Sequence, residues 1–127
     1  MIINDLYYPT VKLNKYDASV GEDGIIVTVK LFDFNKKAVT DKPIQLECDK
    51  GYFTKQKNII ITDKRKVIND KSDSKGELTA TYKASEFGLA TFIVNNDAKI
   101  QLLVLNTQEL KVTNEDASTS SYTIITK

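Results

Sequence analysis

The chain has 127 residues, of which 41% are hydrophobic and 28% are charged, and its formal net charge is +1. This length and composition indicate one globular domain that buries its own core. A net charge so close to zero argues against a surface adapted as a whole to nucleic acid or to a membrane. The sequence contains no His and one Cys, which excludes imidazole-based catalytic triads, His-ligated zinc and an intrachain disulfide.

Neither an export signal nor a membrane segment is predicted. The first ten residues lack the basic and apolar regions of a signal peptide, and every apolar run is far shorter than the roughly 20 residues of a membrane-spanning helix. If the chain starts naturally at Met1, we expect a protein that is not exported by a conventional signal. If it is a piece of a larger protein, that expectation does not hold.

Hydrophobic and polar residues alternate with a period of two in several segments, which is typical of strands with one buried face. The alternating segments, in chain order, are residues 25–31, 44–49, 77–83 and 99–105. Residues 11–13 and 59–62 are weaker strand candidates, and residues 89–94 are apolar nearly throughout, as in a central strand. Sustained helical spacing is absent from the sequence, so the fold class is predicted to be all-β.

The turn-forming residues agree with this prediction. All five glycines fall between apolar runs, residues 33–37 and 73–76 have turn composition, and Pro43 opens a strand. Several short strands separated by turns indicate a β-sandwich or barrel. We predict an N-terminal arm at residues 1–10, a sandwich at residues 11–106 and a C-terminal extension at residues 107–127.

The order of these pieces is distinctive. An alternating strand ends at Asp33-Phe34-Asn35; Pro43-Ile44-Gln45-Leu46, Gly51, Asp73-Ser74-Lys75-Gly76 and Gly88 then follow in that order. This order resembles the bacterial Ig-like domains of the invasin and intimin type. The resemblance implies a Greek-key sandwich of about seven strands that serves as a spacer, display or binding module and carries no catalytic residues. Residues 55–72 depart from the pattern, because they form a longer and more basic link than the family has.

Charge is distributed unevenly along the chain. From Lys50 to Lys75 the net charge is +5, and the remainder of the chain is −4. One hypothesis is an anion-facing segment that contacts a cell-surface polymer or an acidic protein; its candidate contacts are Lys55, Lys57, Lys64, Arg65 and Lys66. The alternative is a solvated loop or edge strand whose lysines discourage aggregation. A single Arg argues against direct reading of nucleic-acid bases.

Other candidate chemistry has plain structural interpretations. Cys48 shares a strand face with Ile44 and Leu46, so we expect a buried hydrophobe rather than a reactive thiol. Two acidic clusters could bind Ca²⁺ or form a glycosidase pair, but their setting favours solvated turns. Their members are Asp17, Glu22 and Asp23 in the first cluster and Asp70, Asp73 and Glu77 in the second. We therefore predict no metal, no cofactor and no enzymatic activity.

The terminal segments contain candidate assembly contacts. Tyr7 and Tyr8 are adjacent and flank the first predicted strand; in extended chain their side chains should point to opposite faces, so one of them should be exposed or covered by a partner, with core or edge packing as the alternative. Near the other terminus, Tyr122 and Ile124 alternate with polar residues, and this segment could pair with the sheet edge of a neighbouring subunit. A disordered tail explains the same composition equally well.

These observations support a non-enzymatic structural or binding module. Our first hypothesis is a phage virion surface protein, such as a capsid decoration, head-fibre or tail protein, held on the particle by its terminal segments. The alternative is an Ig-like stalk or binding module from a larger secreted bacterial or archaeal surface adhesin, located outside the cell. A third hypothesis, a carbohydrate-active enzyme with two carboxylates, has the least support.

Overall fold

The structure is a computed structural model that describes residues 6–106, and the regular structure in this range is all β-strand. The strands are β1 (Tyr7–Leu13), β2 (Asp17–Ser19), β3 (Glu22–Asp33), β4 (Pro43–Cys48), β5 (Tyr52–Gln56), β6 (Ile59–Arg65), β7 (Val67–Lys71), β8 (Glu77–Ala84), β9 (Gly88–Val94) and β10 (Ala98–Leu105). Within residues 6–106, no helix is long and apolar enough to cross a membrane.

The ten strands form two sheets of five. Sheet A has the order β1-β3-β8-β5-β6, and sheet B has the order β2-β10-β9-β4-β7. All neighbours are antiparallel except β2 and β10, which are parallel. The series β1-β3-β8-β5 and β10-β9-β4 reproduce the two sheets of an Ig-like Greek-key sandwich. The predicted fold class is confirmed, with three strands beyond the expected seven: β2, β6 and β7.

The core lies between the two sheets and is built by the predicted alternation. Inward residues such as Val27 on β3, Leu46 on β4 and Leu78 on β8 are fully buried. At the centre, three aromatic rings from different strands meet edge to face or at a tilt. The ring centres of Tyr82 and Phe92 are 4.7 Å apart, and Phe53 lies 5.9 and 6.2 Å from them. Such contacts stabilise beyond the area that they bury.

The first strand begins inside the predicted N-terminal arm. β1 starts at Tyr7 and pairs with β3 in an unbroken register from Tyr7↔Asp33 to Leu13↔Val27. Residues 7–10 therefore belong to sheet A, because their backbone continues the β1–β3 ladder. The prediction begins the sandwich at residue 11. The predicted C-terminal extension, residues 107–127, lies outside the described residues.

Each side of the sandwich is closed by a chain segment that passes from one sheet to the other. On one side, β1 is an edge of sheet A and β2 an edge of sheet B, and residues 14–16 connect them. On the other side, β6 and β7 are the opposite edges of the two sheets, and Lys66 alone separates them. The basic segment that departs from the Ig-like pattern is thus the segment that forms this second side.

The two ends of the sandwich carry different connections. One end, which we call the Lys66 end, holds the β4–β5 turn, the β6–β7 switch, the β8–β9 turn and the end of β10. The opposite end holds the start of β1 and the turns closed by Asp33 and Asp73. Each of these carboxylates accepts two backbone N–H groups at 2.8 and 3.0 Å, and these bonds lower its pKa.

Candidate functional site

An open cavity of about 470 Å³ lies at the Lys66 end, where four connections of the chain meet. We call it the Lys66 pocket. Its lining residues are Gly21, Gly51, Tyr52, Lys64, Lys66, Lys83, Ser85 and Glu86. They come from the β2–β3, β4–β5 and β8–β9 turns, from the β6–β7 segment and from the ends of β5 and β8. Three lysines and one carboxylate therefore surround the cavity.

The floor of the pocket requires glycine at position 51. Gly51 has a φ of +76°, and a Cβ atom there would lie 2.1 Å from the hydroxyl oxygen of Tyr82 and 2.5 Å from the carbonyl oxygen of Lys83. Only a residue without a side chain lets the β4–β5 turn approach β8 this closely. The Tyr82 hydroxyl donates to the carbonyl of Lys50, and burial raises the pKa of Tyr82, so this donor keeps its proton.

Lys66 fastens the β6–β7 switch to this floor. Its ammonium group donates to the Gly51 carbonyl at 2.7 Å and lies 3.7 Å from the Glu86 carboxylate. Glu86 in turn accepts the Gly51 N–H at 3.2 Å, and the Lys66 carbonyl accepts the Cys48 N–H at 3.0 Å. The Lys66 ammonium is therefore bound by groups of the protein itself, and these contacts position the segment that carries Lys64.

Lys64 and Lys83 flank an aromatic side chain on the outer face of sheet A. The Lys64 ammonium lies 5.8 Å from the centre of the Tyr52 ring, and Lys83 is the direct cross-strand partner of Tyr52. Among residues 6–106, neither lysine lies within 4.0 Å of a carboxylate oxygen. Two cations without carboxylate partners beside an open cavity create a positive potential that attracts anions.

The five predicted anion contacts do not form one patch. Lys64 and Lys66 line the pocket, whereas Lys57 lies in the β5–β6 turn at the opposite end, 3.8 Å from Asp70. Arg65 is ion-paired with Asp63 at 3.1 Å. Lys55 is exposed on β5, where its cross-strand partner on β6 is Ile60. Segmental charge predicted the cations, but it could not predict which of them would share a surface.

Much of the predicted positive charge is balanced by nearby carboxylates. Five of the basic residues between positions 50 and 75 lie within 4.0 Å of an acidic side chain: Lys50, Lys57, Arg65, Lys66 and Lys71. Lys83 and Tyr52 were missing from the sequence-based set, since their place in the pocket depends on the β5–β8 register. The one available signal was the adjacent Tyr52-Phe53 pair, of which one ring had to point outward.

The tyrosines proposed as assembly contacts have separate environments. Tyr7 is partly buried against the core, while the Tyr8 ring lies 6.0 Å from Phe32 and 5.4 Å from Phe34, measured between ring centres. The prediction that the two tyrosines face opposite sides is confirmed. Tyr122 and Ile124 lie outside the described residues.

The remaining candidates from the sequence are Cys48 and the two acidic clusters, and the contacts of Cys48, Glu22 and Glu77 are with the protein itself. Cys48 is 7% exposed, and burial raises the pKa of its thiol to about 12. Glu22 is ion-paired with Lys15, and this hydrogen bond lowers the pKa of Glu22. Glu77 lies 3.8 Å from Lys30. Within residues 6–106, no group of three or more metal-ligating side chains is close enough together to hold an ion.

Comparison with known proteins identifies the fold. Neither a protein-family model nor a curated protein sequence matches the chain. Among solved structures, the D0–D1 domain of intimin is similar, with 19% identity, a TM-score of 0.49 and coverage of 72% of this chain and 43% of that chain. A C-terminal 282-residue fragment of intimin, in complex with the intimin-binding domain of the translocated intimin receptor, shows 21% identity and a TM-score of 0.50.

The second match covers 76% of this chain and 32% of that chain, so the chain spans less than half the length of either structure. At identities this low, the structural similarity concerns the fold alone and leaves the activity open. Together with the strand order and the buried alternation described above, this similarity shows that the chain has the bacterial Ig-like fold of intimin-type domains.

Proposed function

We propose that the chain is a non-enzymatic binding module of a bacterial-type surface adhesin and that it recognises an anionic ligand through the Lys66 pocket. The observation that carries this proposal is the pair of ammonium groups, Lys64 and Lys83, that flank an open cavity without carboxylate partners among the described residues. The similarity to intimin domains supports the adhesin setting. One of the intimin structures is bound to a protein receptor, so sandwiches of this fold occur in binding proteins.

The path of the chain through the sandwich supports a module placed in series with others. Tyr7, at the start of β1, lies beside Asp33 at one end, whereas Leu105, at the end of β10, accepts a hydrogen bond from Val20 at the Lys66 end. Within residues 6–106, the sandwich therefore begins at one end and finishes at the other. Such domains can follow one another in an extended stalk without the chain doubling back.

Our virion hypothesis gains no support from the comparisons, since the similar structures belong to adhesins. The adhesin reading is thus the better supported of the two, with an extracellular, cell-surface location and protein or polymer partners. A survey of purified virions and of intact cells with an antibody against the chain would separate the two locations. Detection only on virions would contradict the adhesin proposal.

The anion-binding proposal is tested with immobilised polymers at low and physiological salt. We expect the chain to bind anionic polymers and not a neutral one, with affinity that falls as salt rises. The double variant Lys64→Glu/Lys83→Glu should lose about tenfold or more in affinity, because it replaces both positive charges by negative ones. A tenfold loss corresponds to about 1.4 kcal/mol.

The matched control is Lys75→Glu/Lys99→Glu, which changes the net charge by the same amount at two exposed lysines far from the pocket. It should retain most of the affinity. Equal losses in the two double variants would show that only net charge matters. Failure of the unmodified chain to bind any anionic polymer would also contradict the proposal.

A further inference from the structure

We propose that the Lys66 pocket takes an acidic sugar residue, a uronate-type ring with a carboxylate, rather than a bare phosphate chain. This inference rests on the proposed anion-binding function and names the ligand class for the same site. It depends on three features of the pocket: an aromatic face, two cations beside that face, and an acidic hydrogen-bond acceptor within the same cavity.

The aromatic face is provided by Tyr52. Its neighbour Phe53 points into the core, so Tyr52 points out of sheet A, where it is partly exposed at the cavity. The C–H face of a sugar ring packs against such a ring, since Tyr combines a large apolar surface with a polar tip. A phosphate chain has no apolar face with which to use this contact.

The cations are placed for a charge at the edge of a ring bound on Tyr52. The Lys64 ammonium lies over the aromatic face, 5.8 Å from its centre, and Lys83 is beside Tyr52 on the next strand. Because Lys64 is exposed, its long side chain can turn aside when a sugar ring takes this face, and its ammonium then meets the carboxylate at the edge of the ring. Charge-assisted hydrogen bonds of this kind are shorter and stronger than neutral ones.

The acceptor is the Glu86 carboxylate. It already accepts the Gly51 N–H and lies 3.7 Å from the Lys66 ammonium. A carboxylate has about four lone-pair sites, so it can still accept from ligand hydroxyls. The Ser85 hydroxyl lines the same cavity. Sugar hydroxyls can donate to Glu86, whereas a phosphate chain at neutral pH has few donors.

The dimensions of the cavity also suit a sugar. Its volume of about 470 Å³ lies within the range of roughly 300–1,000 Å³ that small-molecule sites span. The cavity is open to solvent, so one ring can sit in it while the rest of a polymer continues across the surface. A polymer ligand is therefore compatible with a single-residue pocket.

The test is a titration of the full chain with three probes: oligogalacturonate, its methyl-esterified form and a polyphosphate of matched charge. We expect oligogalacturonate to bind at least about tenfold more tightly than either of the other two. The ester removes the charge and keeps the ring, and the polyphosphate keeps the charge and removes the ring. These three affinities test the proposal on the unmodified protein, whatever the variants do.

Two substitutions test the aromatic face. Tyr52→Leu should lower oligogalacturonate affinity about tenfold and leave polyphosphate affinity within about twofold, whereas Tyr52→Phe keeps the ring and should retain most oligogalacturonate affinity. Because Tyr52 lies on the outer face, thermal unfolding should show both variants folded.

The outcomes separate the inference from the function on which it rests. Equal binding of oligogalacturonate and polyphosphate, or a Tyr52→Leu variant that binds both probes normally, would overturn the sugar assignment and leave the anion-binding function standing. Absence of binding to every anionic probe would overturn the proposed function itself. Equal binding of the acid and its methyl ester would show that the carboxylate is not recognised, and would overturn both the acidic-sugar assignment and the role of the lysines.

Discussion

The chain passes from sheet A to sheet B at two sides of the sandwich, the β1–β2 side and the β6–β7 side, and the edge strands differ in regularity. At the β1–β2 side, β1 pairs with β3 over seven consecutive residues without a shift. At the β6–β7 side, β6 has three paired positions with β5, Ile59, Ile60 and Arg65, and the register shifts between them. The first side is a regular extension of its sheet, and the second is an irregular one.

Their side chains differ in the same direction. Most of β1 is buried or partly buried, and Leu13 belongs to the core. On β6, Ile61 is buried, but Ile59 and Ile60 are 65% and 71% exposed, and the rest of the strand is exposed as well. On the regular β1–β2 side, most side chains of β1 therefore pack toward the core. The irregular side leaves Lys64 in solvent beside Tyr52, where it can meet a ligand.

Irregularity also protects the exposed side of sheet A. A long apolar edge strand is a template for pairing with another chain, and bulges and charges block such pairing. β6 contains the apolar run Ile59–Ile61. This run is followed by a shift in the register with β5 and by three charged residues, Asp63, Lys64 and Arg65. The same features that leave Lys64 exposed therefore disfavour pairing of this edge with a second chain.

The largest loss of stability should come from Gly51, the residue to which Lys66 attaches the β6–β7 side. Gly51→Ala places a Cβ 2.1 Å from the Tyr82 hydroxyl at a φ of +76°, so we expect a loss of about 3 kcal/mol or more in the free energy of unfolding. Gly24→Ala is the control: its φ is +82°, but its Cβ would meet nothing within 4 Å, so only about 1 kcal/mol should be lost. Denaturant unfolding measures both. Equal losses would show that close packing at Gly51 is unimportant.

A second pair of substitutions measures how much of this side belongs to the core. Ile68 on β7 is 1% exposed, so Ile68→Ala should cost about 2–4 kcal/mol through lost burial and a cavity. Ile60→Ala removes the same side chain at 71% exposure and should change stability by less than about 0.5 kcal/mol. Urea denaturation of the two variants decides the matter. A large loss for Ile60→Ala would indicate that β6 is covered in solution.

A smaller effect should appear in local opening beside Lys66. Cys48 donates its N–H to the Lys66 carbonyl, and its thiol is buried, so labelling by a thiol reagent at pH 8 should be slow. Lys66→Ala should cost about 1 kcal/mol and raise the labelling rate about fivefold, because the switch loses its bond to Gly51. The nearby positive charge of Lys66 lowers the thiol pKa, so its removal alone would slow labelling.

The control for this prediction is Lys15→Ala, which removes the ion pair with Glu22 near the switch on the other side. It should leave the labelling rate of Cys48 nearly unchanged. If both variants accelerated labelling equally, the thiol would report global unfolding rather than opening of the β6–β7 side.

The same thiol gives a pH dependence with a defined sign. Burial raises its pKa from 9.0 to about 12, so between these values the unfolded chain releases a proton that the folded protein keeps. The stability contributed by the protonated thiol is complete below pH 9 and is lost as the pH rises toward 12. The difference in unfolding free energy between the unmodified chain and Cys48→Ala should therefore shrink from pH 8 to pH 10.5. A constant difference would contradict burial of the thiol.

Much of the central sandwich could be predicted from the sequence. Alternation over Ile25 to Leu31 specifies one buried face, because a strand places successive side chains on opposite sides. The order of turns and strands carried the Ig-like resemblance. The strands β2 and β7 could not be predicted, since β2 has three residues and Ile68 is the one fully buried residue of β7. Short strands of this kind are specified by the edges to which they attach.

For the candidate site, the sequence alone determined that cations are concentrated between positions 50 and 75, because composition counts charges without geometry. Only the tertiary structure decided which charges are balanced and which face a cavity. Lys57 and Arg65 are paired with carboxylates, whereas Lys64 lies over Tyr52 and lines the same cavity as Lys83, which is 19 positions further along the chain. The physical reason is that the pairing of β5 with β8, and the reversal of the chain at Lys66, bring these side chains together across long sequence separations.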